Sequence, residues 1–335
     1  MKRNPKQEVS ATDLVLGVDI GGTRVKCAWF DAATGRMEGT CVFPTRDCSA
    51  SEGTPAFAED VRAQIGHIEQ KLEKPFVSVG IAAPGLVSAD QRRIVCMPGR
   101  LKRLVDLDWN ILLRRSHAVP VVNDAHAALL GEVWQGAAKN LNHVVMLTLG
   151  TGVGGAIMAD GRLLTGSLGR AGHLGHMSLE PRGPLDIAGT PGSLEDAIGE
   201  CSLARRSADR FGSTLQLTAA VEAGDPHALV LWMSSIDALA AALTSFINAL
   251  DPECIVVGGG IAQAGNRLFE PLRRRMDQIE WRPLGHAVPI VPAQLNDWGG
   301  ACGAAWTALK ANSPRKTSPA SPDISHSPLR PTHTL

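Results

Sequence analysis

The chain has 335 residues, 44% of them hydrophobic and 20% charged, which is enough for two domains with a core each. Lys plus Arg and Asp plus Glu both total 33, so no net field would recruit nucleic acid or an anionic membrane. Seven cysteines, an odd number with no C-x-x-C spacing, read as thiols of a reducing compartment rather than a disulfide frame or a zinc site.

Residues 1–13 form a short polar segment without the apolar core of a signal peptide, and no apolar run is read as long enough to span a membrane, so a cytoplasmic protein is expected. Residues 14–46 read as strands joined by tight turns, the first turn lying in Asp19-Ile-Gly21-Gly22-Thr23. A helical pattern over 55–73 precedes a strand at Phe76–Ile81 that ends in Ala82-Ala-Pro84-Gly85. Val119–Val122 is a short β-branched strand. It stops at Asn123-Asp124, residues suited to cap a helix over Ala125–Val133. A second glycine-turn hairpin is expected over 144–165, and the Gly- and Pro-rich stretch 166–195 reads as loops built for a site. Ile236, Leu239, Leu243, Phe246, Ile247 and Leu250 follow helical spacing up to the stop at Asp251-Pro252. Strand Cys254–Val257 then leads into Gly258-Gly259-Gly260, and a last helix of small residues starts near Trp298. The Ser/Pro/Thr-rich tail 311–335 cannot bury enough apolar surface to order itself and is expected to be disordered. Strands alternating with helices indicate an α/β architecture.

Glycine turns bring backbone N–H groups close to a phosphate because no Cβ stands in the way. Two such turns, at 19–23 and 148–155, suggest two lobes gripping one polyphosphate. Gly150-x-Gly152-x-x-Gly155 formally matches the dinucleotide fingerprint, but it leads into a hairpin rather than the required helix, and no P-loop motif occurs. The flanking residues suit the same chemistry. Asp19 could hold Mg²⁺ directly or through water, and Thr23, Thr148 and Thr151 could donate hydroxyls to phosphate oxygens. Lys26 reads equally as a phosphate ligand or as a solvent-facing strand residue.

At these residues the chain resembles the ROK family of sugar kinases, over about residues 14–310. Asp19-Ile-Gly-Gly-Thr23 and Leu149-Gly-Thr-Gly-Val-Gly-Gly155 resemble its two phosphate loops, and Gly80-Ile-Ala-Ala-Pro84-Gly85 its G-x-x-x-P-G segment. Asp251 to Ala262, with Gly258, Gly259 and Gly260, resembles its adenosine-side strand and loop. The resemblance implies a two-lobed actin-like ATPase (ribonuclease H-like) fold with a cleft between lobes. The smaller lobe would comprise 14–122 plus about 298–310, and the larger lobe 123–297. It also implies ATP and Mg²⁺ as cofactors, a small sugar as substrate and a homodimer. Val122-Asn123-Asp124-Ala125 matches the N-D-A catalytic segment, so Asp124 would be the general base and Asn123 would bind neighbouring hydroxyls. On the residues alone, Asp124 is also compatible with a plain helix cap.

Two departures matter. Where the family often has G-E-x-G-H around the sugar's anomeric end, this chain reads Gly172-His173-Leu174-Gly175-His176. His173 therefore either reads the sugar differently or has left the site. The family's zinc-binding C-x-C-G-x-x-G-C-x-E is replaced by a segment with Asp186, Ala188 and Ser193 at the thiolate positions. No structural zinc is expected; His176 would be free to contact sugar, alongside Glu195 and Gly85. The expected activity is an ATP-dependent hexose kinase, glucose to glucose 6-phosphate. The alternatives are a catalytically silent sugar-binding regulator, a kinase for N-acetylmannosamine, fructose or allose, or use of polyphosphate as donor. A ROK repressor is disfavoured, because thirteen residues before the first strand leave no room for a winged-helix domain.

Overall fold

The structure, a computed structural model, describes residues 13–47, 53–97 and 101–312; the expected disorder of the tail concerns residues that, past Asn312, lie outside the described residues. Two five-stranded sheets organise the chain. In the first, β1 (Leu14–Ile20) pairs antiparallel with β2 (Arg24–Asp31), which pairs antiparallel with β3 (Met37–Pro44). Helix α1 (Ala56–Leu72) then crosses to β4 (Ser78–Ala83), parallel to β1. A two-stranded ribbon of β5 (Leu86–Val87) and β6 (Ile94–Cys96) and a short α2 (Trp109–Leu113) precede β7 (Val121–Asn123), parallel to β4. Strand β1 is central and covered on both faces, which is why it reads as a continuous apolar run. Leu16, Val18 and Ile20 pack with Val61 and Ile65 of α1, while Val15 packs with Ala301 and Ala305 from the far end of the chain.

The second sheet follows α3 (Asp124–Gln135). Strands β8 (Val144–Leu149) and β9 (Val153–Ala159) form an antiparallel hairpin extended by β10 (Arg162–Leu163). Short helices α4 (Leu194–Ile198) and α5 (Leu203–Arg206) and the longer α6 (Thr214–Glu222) lead to α7 (Pro226–Leu250). Strand β11 (Cys254–Gly258) lies parallel to β8, and after α8 (Asn266–Ile279) β12 (Ile290–Pro292) closes the sheet, parallel to β11. Helix α7 starts ten residues before the periodic run shows it, because its first turns carry exposed Leu229 and Val230. Pro226 at its first position and the Asp225 side chain, which accepts N–H bonds from His227 and Ala228 at 2.9 and 3.2 Å, mark the true start. Contrary to the expectation from sequence, α7 is long and apolar enough to cross a membrane by length and composition. Its apolar face, with Trp232, Ile236, Leu243 and Phe246, is buried in the core of the second sheet.

Helix α9 (Gly299–Asn312) returns to the first sheet and lies on β1 and β4 while also packing along α3. The approach is close. A Cβ on Gly17 would stand 1.7 Å from the Ala301 carbonyl oxygen, one on Gly80 2.1 Å from that of Ala304, and one on Gly303 1.7 Å from that of Ala127. Buried Glu132 of α3 ties this joint together by accepting N–H bonds from Ala137, Gln294 and Leu295 at 2.6, 3.2 and 2.8 Å. The helix runs to Asn312, two residues into the segment expected as tail. There the Asn312 side chain bonds Ser78 Oγ and both backbone groups of Ala118.

Candidate active site

A cleft of about 810 Å³ opens where β4 and β7 end and the β8–β9 hairpin turns. It brings together Gly85, Asn123, Asp124, Thr148, Gly150, Thr151, Gly152, His173, His176, Glu195 and Gly259.

Asn123 and Asp124 sit at the junction of β7 with α3. The Asn123 side chain caps the helix, its Oδ1 accepting from Ala125 and His126 N–H at 3.0 and 3.2 Å, while its Nδ2 donates to the Gly85 carbonyl at 3.1 Å. One amide hydrogen of Asn123 therefore remains for a ligand. Gly85 adopts φ +106°, and a Cβ there would stand 2.5 Å from the Cys96 carbonyl oxygen. The cap fixes Asp124 as the first helical residue, with its carboxylate open to the cleft. The protein walls around it withdraw water and push its pKa up, against the opposing pull of the Ala125 N–H and of His173.

The β8–β9 turn is closed by the Gly150 N–H on the Gly152 carbonyl at 2.9 Å. Its glycines make room for other parts of the protein. A Cβ on Gly152 would lie 2.3 Å from Glu195 Oε2, and one on Gly154 2.4 Å from Thr148 Oγ1. Buried Glu195, near the start of α4, accepts the Val153 N–H at 2.9 Å, so this carboxylate ties the turn to α4.

Asp19, the penultimate residue of β1, does not itself line the cleft but lies close enough to Asp124 to feel its charge. Its carboxyl is pushed up to about 7, first by burial and then by the charge of Asp124, with Lys26 pulling it down and Asp297 adding to the rise. Asp19 and Asp124 offer carboxylate oxygens, the donors a hard divalent cation takes, so the residues present fit Mg²⁺. The 21–23 turn is held by Gly21 N–H on the Arg24 carbonyl at 3.0 Å and by Thr45 Oγ1 on the Gly21 carbonyl at 2.7 Å; Gly21, Gly22 and Thr23 lie outside the cleft lining. Lys26 pairs with Asp297 at 3.3 Å and does not line the cleft either. Gly258 and Gly259 border a smaller cavity with Asn296 and Asp297, and Gly260 follows with open space around it. Gly259 takes φ +88° with the Leu149 carbonyl where a Cβ would be, which brings the end of β11 against the β8–β9 hairpin.

His173 has not left the site. It lines the cleft, its Nδ1 lies 3.0 Å from the Arg170 carbonyl, and its ring meets the His126 ring edge-on at 6.0 Å between centroids. A carbonyl only accepts, so Nδ1 carries a proton. His176 lines the cleft, and its Nδ1 lies 2.8 Å from Asp186 Oδ2. At the three positions read in sequence as replaced thiolates, Asp186 is committed to His176, Ala188 has no side-chain donor atom, and Ser193 Oγ accepts the Asp196 N–H at 3.2 Å as the cap of α4. These residues do not fit a thiolate zinc centre.

Three residues of this region, His126, Arg170 and Asp297, escaped the sequence reading, and a fourth, Asp186, was read only as standing at a lost thiolate position. His126 is buried, contacts the Ala171 carbonyl at 3.0 Å and is pushed down to about 4 by burial, so it stays neutral. Arg170 lines the cleft, Asp186 anchors a loop, and Asp297 pairs with Lys26. Only His126 carried a signal, being two residues past Asp124 on the same helix.

The profile of the ROK family matches residues 15–311. The chain belongs to the ROK family. A glucokinase of Thermotoga maritima is 32% identical over 311 residues, 87% of this chain and 96% of that protein. The structure of a ROK hexokinase from Thermus thermophilus aligns with a TM-score of 0.74 at 30% identity, covering 89% of this chain and 98% of that one. A ROK glucokinase from Streptomyces griseus, solved with glucose and AMPPNP, aligns with a TM-score of 0.70 at 27% identity over 89% and 99%. Other ROK relatives at 30% and 29% identity, from Shewanella and Salmonella, are named as kinases of N-acetylgalactosamine and N-acetylmannosamine. The fold is thus the actin-like ATPase fold of ROK sugar kinases.

Proposed function

We propose that this ROK protein is an ATP-dependent hexose kinase that moves the γ-phosphoryl group to a primary sugar hydroxyl, with glucose as the preferred acceptor. The observation that carries the reading is Asp124, a carboxylate of raised pKa fixed at the start of α3 in the same cleft as the 148–155 turn. A raised pKa makes the ionised carboxylate a better base. Asp124 takes the proton of the attacking hydroxyl as its oxygen bonds to the γ-phosphorus and the bond to the ADP oxygen breaks. Thr148, Thr151 and the Gly152 N–H would hold the phosphates, with Gly150 leaving room for their close approach, and Gly258–Gly260 would border the nucleoside. Asp19 would hold Mg²⁺, directly or through water; when bound, the ion neutralises phosphate charge as it shifts to the leaving group. His173, His176 and Glu195 accept hydrogen bonds from sugar hydroxyls. By family resemblance the working unit is a homodimer.

A coupled assay over a panel of hexoses with ATP and Mg²⁺ tests this reading. Asp124→Asn should lower kcat by about 10²–10⁴-fold with the fold intact by circular dichroism. Activity within a few-fold of wild type would remove Asp124 from the base role, and no turnover of any sugar by wild type would remove the kinase assignment.

A further inference from the structure

The segment between His176 and α4 has an inverted arrangement. At its tip Leu185 and Ile187 are 69% and 65% exposed, while the carboxylate between them, Asp186, is only 2% exposed. Acids are ordinarily the outer residues of such a turn, and burying one costs free energy unless its oxygens are satisfied. Here they are. Oδ1 accepts the N–H groups of Ala188 and Thr190, both at 2.9 Å, and Oδ2 meets His176 Nδ1 at 2.8 Å. Burial pulls the Asp186 carboxyl upward, but the bonds from His176, Thr190 and Ser193 outweigh it and leave it below the ordinary carboxylate range. The group is therefore ionised at neutral pH and can only accept.

An acceptor at 2.8 Å dictates which nitrogen of His176 carries the proton. Nδ1 must be the donor, and in the neutral ring Nε2 is left with its lone pair. His176 lines the cleft together with Asp124 and Glu195.

We propose that Asp186 is a positioning residue for the sugar site: it locks His176 in the Nδ1–H tautomer so that Nε2 accepts a hydrogen bond from a sugar hydroxyl. This rests on the sugar-kinase reading. The loop is folded around the carboxylate, so one residue sets both the path of the backbone and the polarity that the imidazole presents to the ligand. A tautomer held wrongly by an Asp→Asn change is known to disable a histidine whose surroundings are otherwise intact.

The test is Asp186→Asn in the full chain. The amide oxygen can still accept from Ala188 and Thr190, while its NH₂ donates to Nδ1 and turns the ring into the Nε2–H tautomer. Nitrogen-15 NMR of histidine-labelled protein should show Nδ1 protonated in wild type and Nε2 protonated in the variant. KM for the sugar should rise about ten- to a hundredfold, while KM for ATP and kcat at saturating sugar stay within about threefold. In a His176→Gln background, where the side-chain amide can turn either end to the ligand, Asp186→Asn should add no further rise.

Three results would overturn the proposal. One is a wild-type His176 protonated on Nε2. Another is equal loss from Asp186→Asn with or without His176. The third is a stoichiometric divalent ion among His176, Asp186 and Glu195, whose ligand atoms lie within 4.8 Å of one another, because the ion would take an imidazole lone pair and remove the tautomer lock or its free acceptor. The NMR measurement needs no turnover, so it separates a failure here from a failure of the kinase assignment.

Discussion

Asp19 offers a quantitative test of how the site stores electrostatic cost. Its carboxyl rises from 3.8 to about 7 on folding, by burial first and then by the charge of Asp124. At about 1.4 kcal/mol per pKa unit, keeping Asp19 ionised at pH 8 costs the folded state about 4 kcal/mol relative to the unfolded chain. The folded pKa is the higher one, so the stability contributed by the protonated group is fully present below pH 3.8. It is lost as pH rises through about 7. Asp19→Asn keeps a neutral group of the same shape at every pH. Without Mg²⁺ at pH 8 the variant should therefore melt above wild type. At the upper limit of about 4 kcal/mol and about 2.1 cal/mol/K per residue, the difference is about 6 °C. It should shrink as the pH falls and vanish near pH 4, while phosphotransfer is lost at every pH. Differential scanning calorimetry from pH 4 to 8 measures the curve. A variant that melts at or below wild type at pH 8, or a difference that does not change with pH, would refute the account.

Two further substitutions probe the same frame. His173→Glu places a like charge near Asp124, where His173 now lowers the pKa; the acid limb of kcat/KM should move up by about half a unit to one unit, with the order of sugar preference changed. Unchanged pH and sugar profiles would take His173 out of the site. Gly303→Ala sets a Cβ 1.7 Å from the Ala127 carbonyl, which is backbone and cannot swing aside. It should cost about 3 kcal/mol or more by urea unfolding, and a loss under about 1 kcal/mol would mean that α3 and α9 slide apart freely.

Much of the site was legible because its signals are local. Asn123 reads as a cap and is one, and it fixes the direction of Asp124. The glycine turns were legible as places of close approach, but sequence does not name what approaches: at Gly152 it is Glu195, and at Gly154 it is Thr148. Contacts made by folding rather than by spacing were invisible. Asp186 meets His176 only because the loop curls back on itself, and Lys26 meets Asp297 only because the chain's last helix returns to its first sheet. The beginning of α7 was missed for a different reason, since exposed Leu229 and Val230 break the apolar period that the buried part obeys.

That return of α9 also sets an order of assembly during synthesis. Val15, Ala28 and Phe30 of the first two strands complete their core with Ala301, Cys302, Ala305 and Ala308. A ribosome adding about 5–20 residues per second makes those partners tens of seconds after β1 has emerged. Throughout that interval one face of the first sheet stays open to water and to other nascent chains. The second sheet, whose strands are all made before α9, meets no such wait. The amino-terminal half is thus the last part of the molecule to finish, although it is the first to be made.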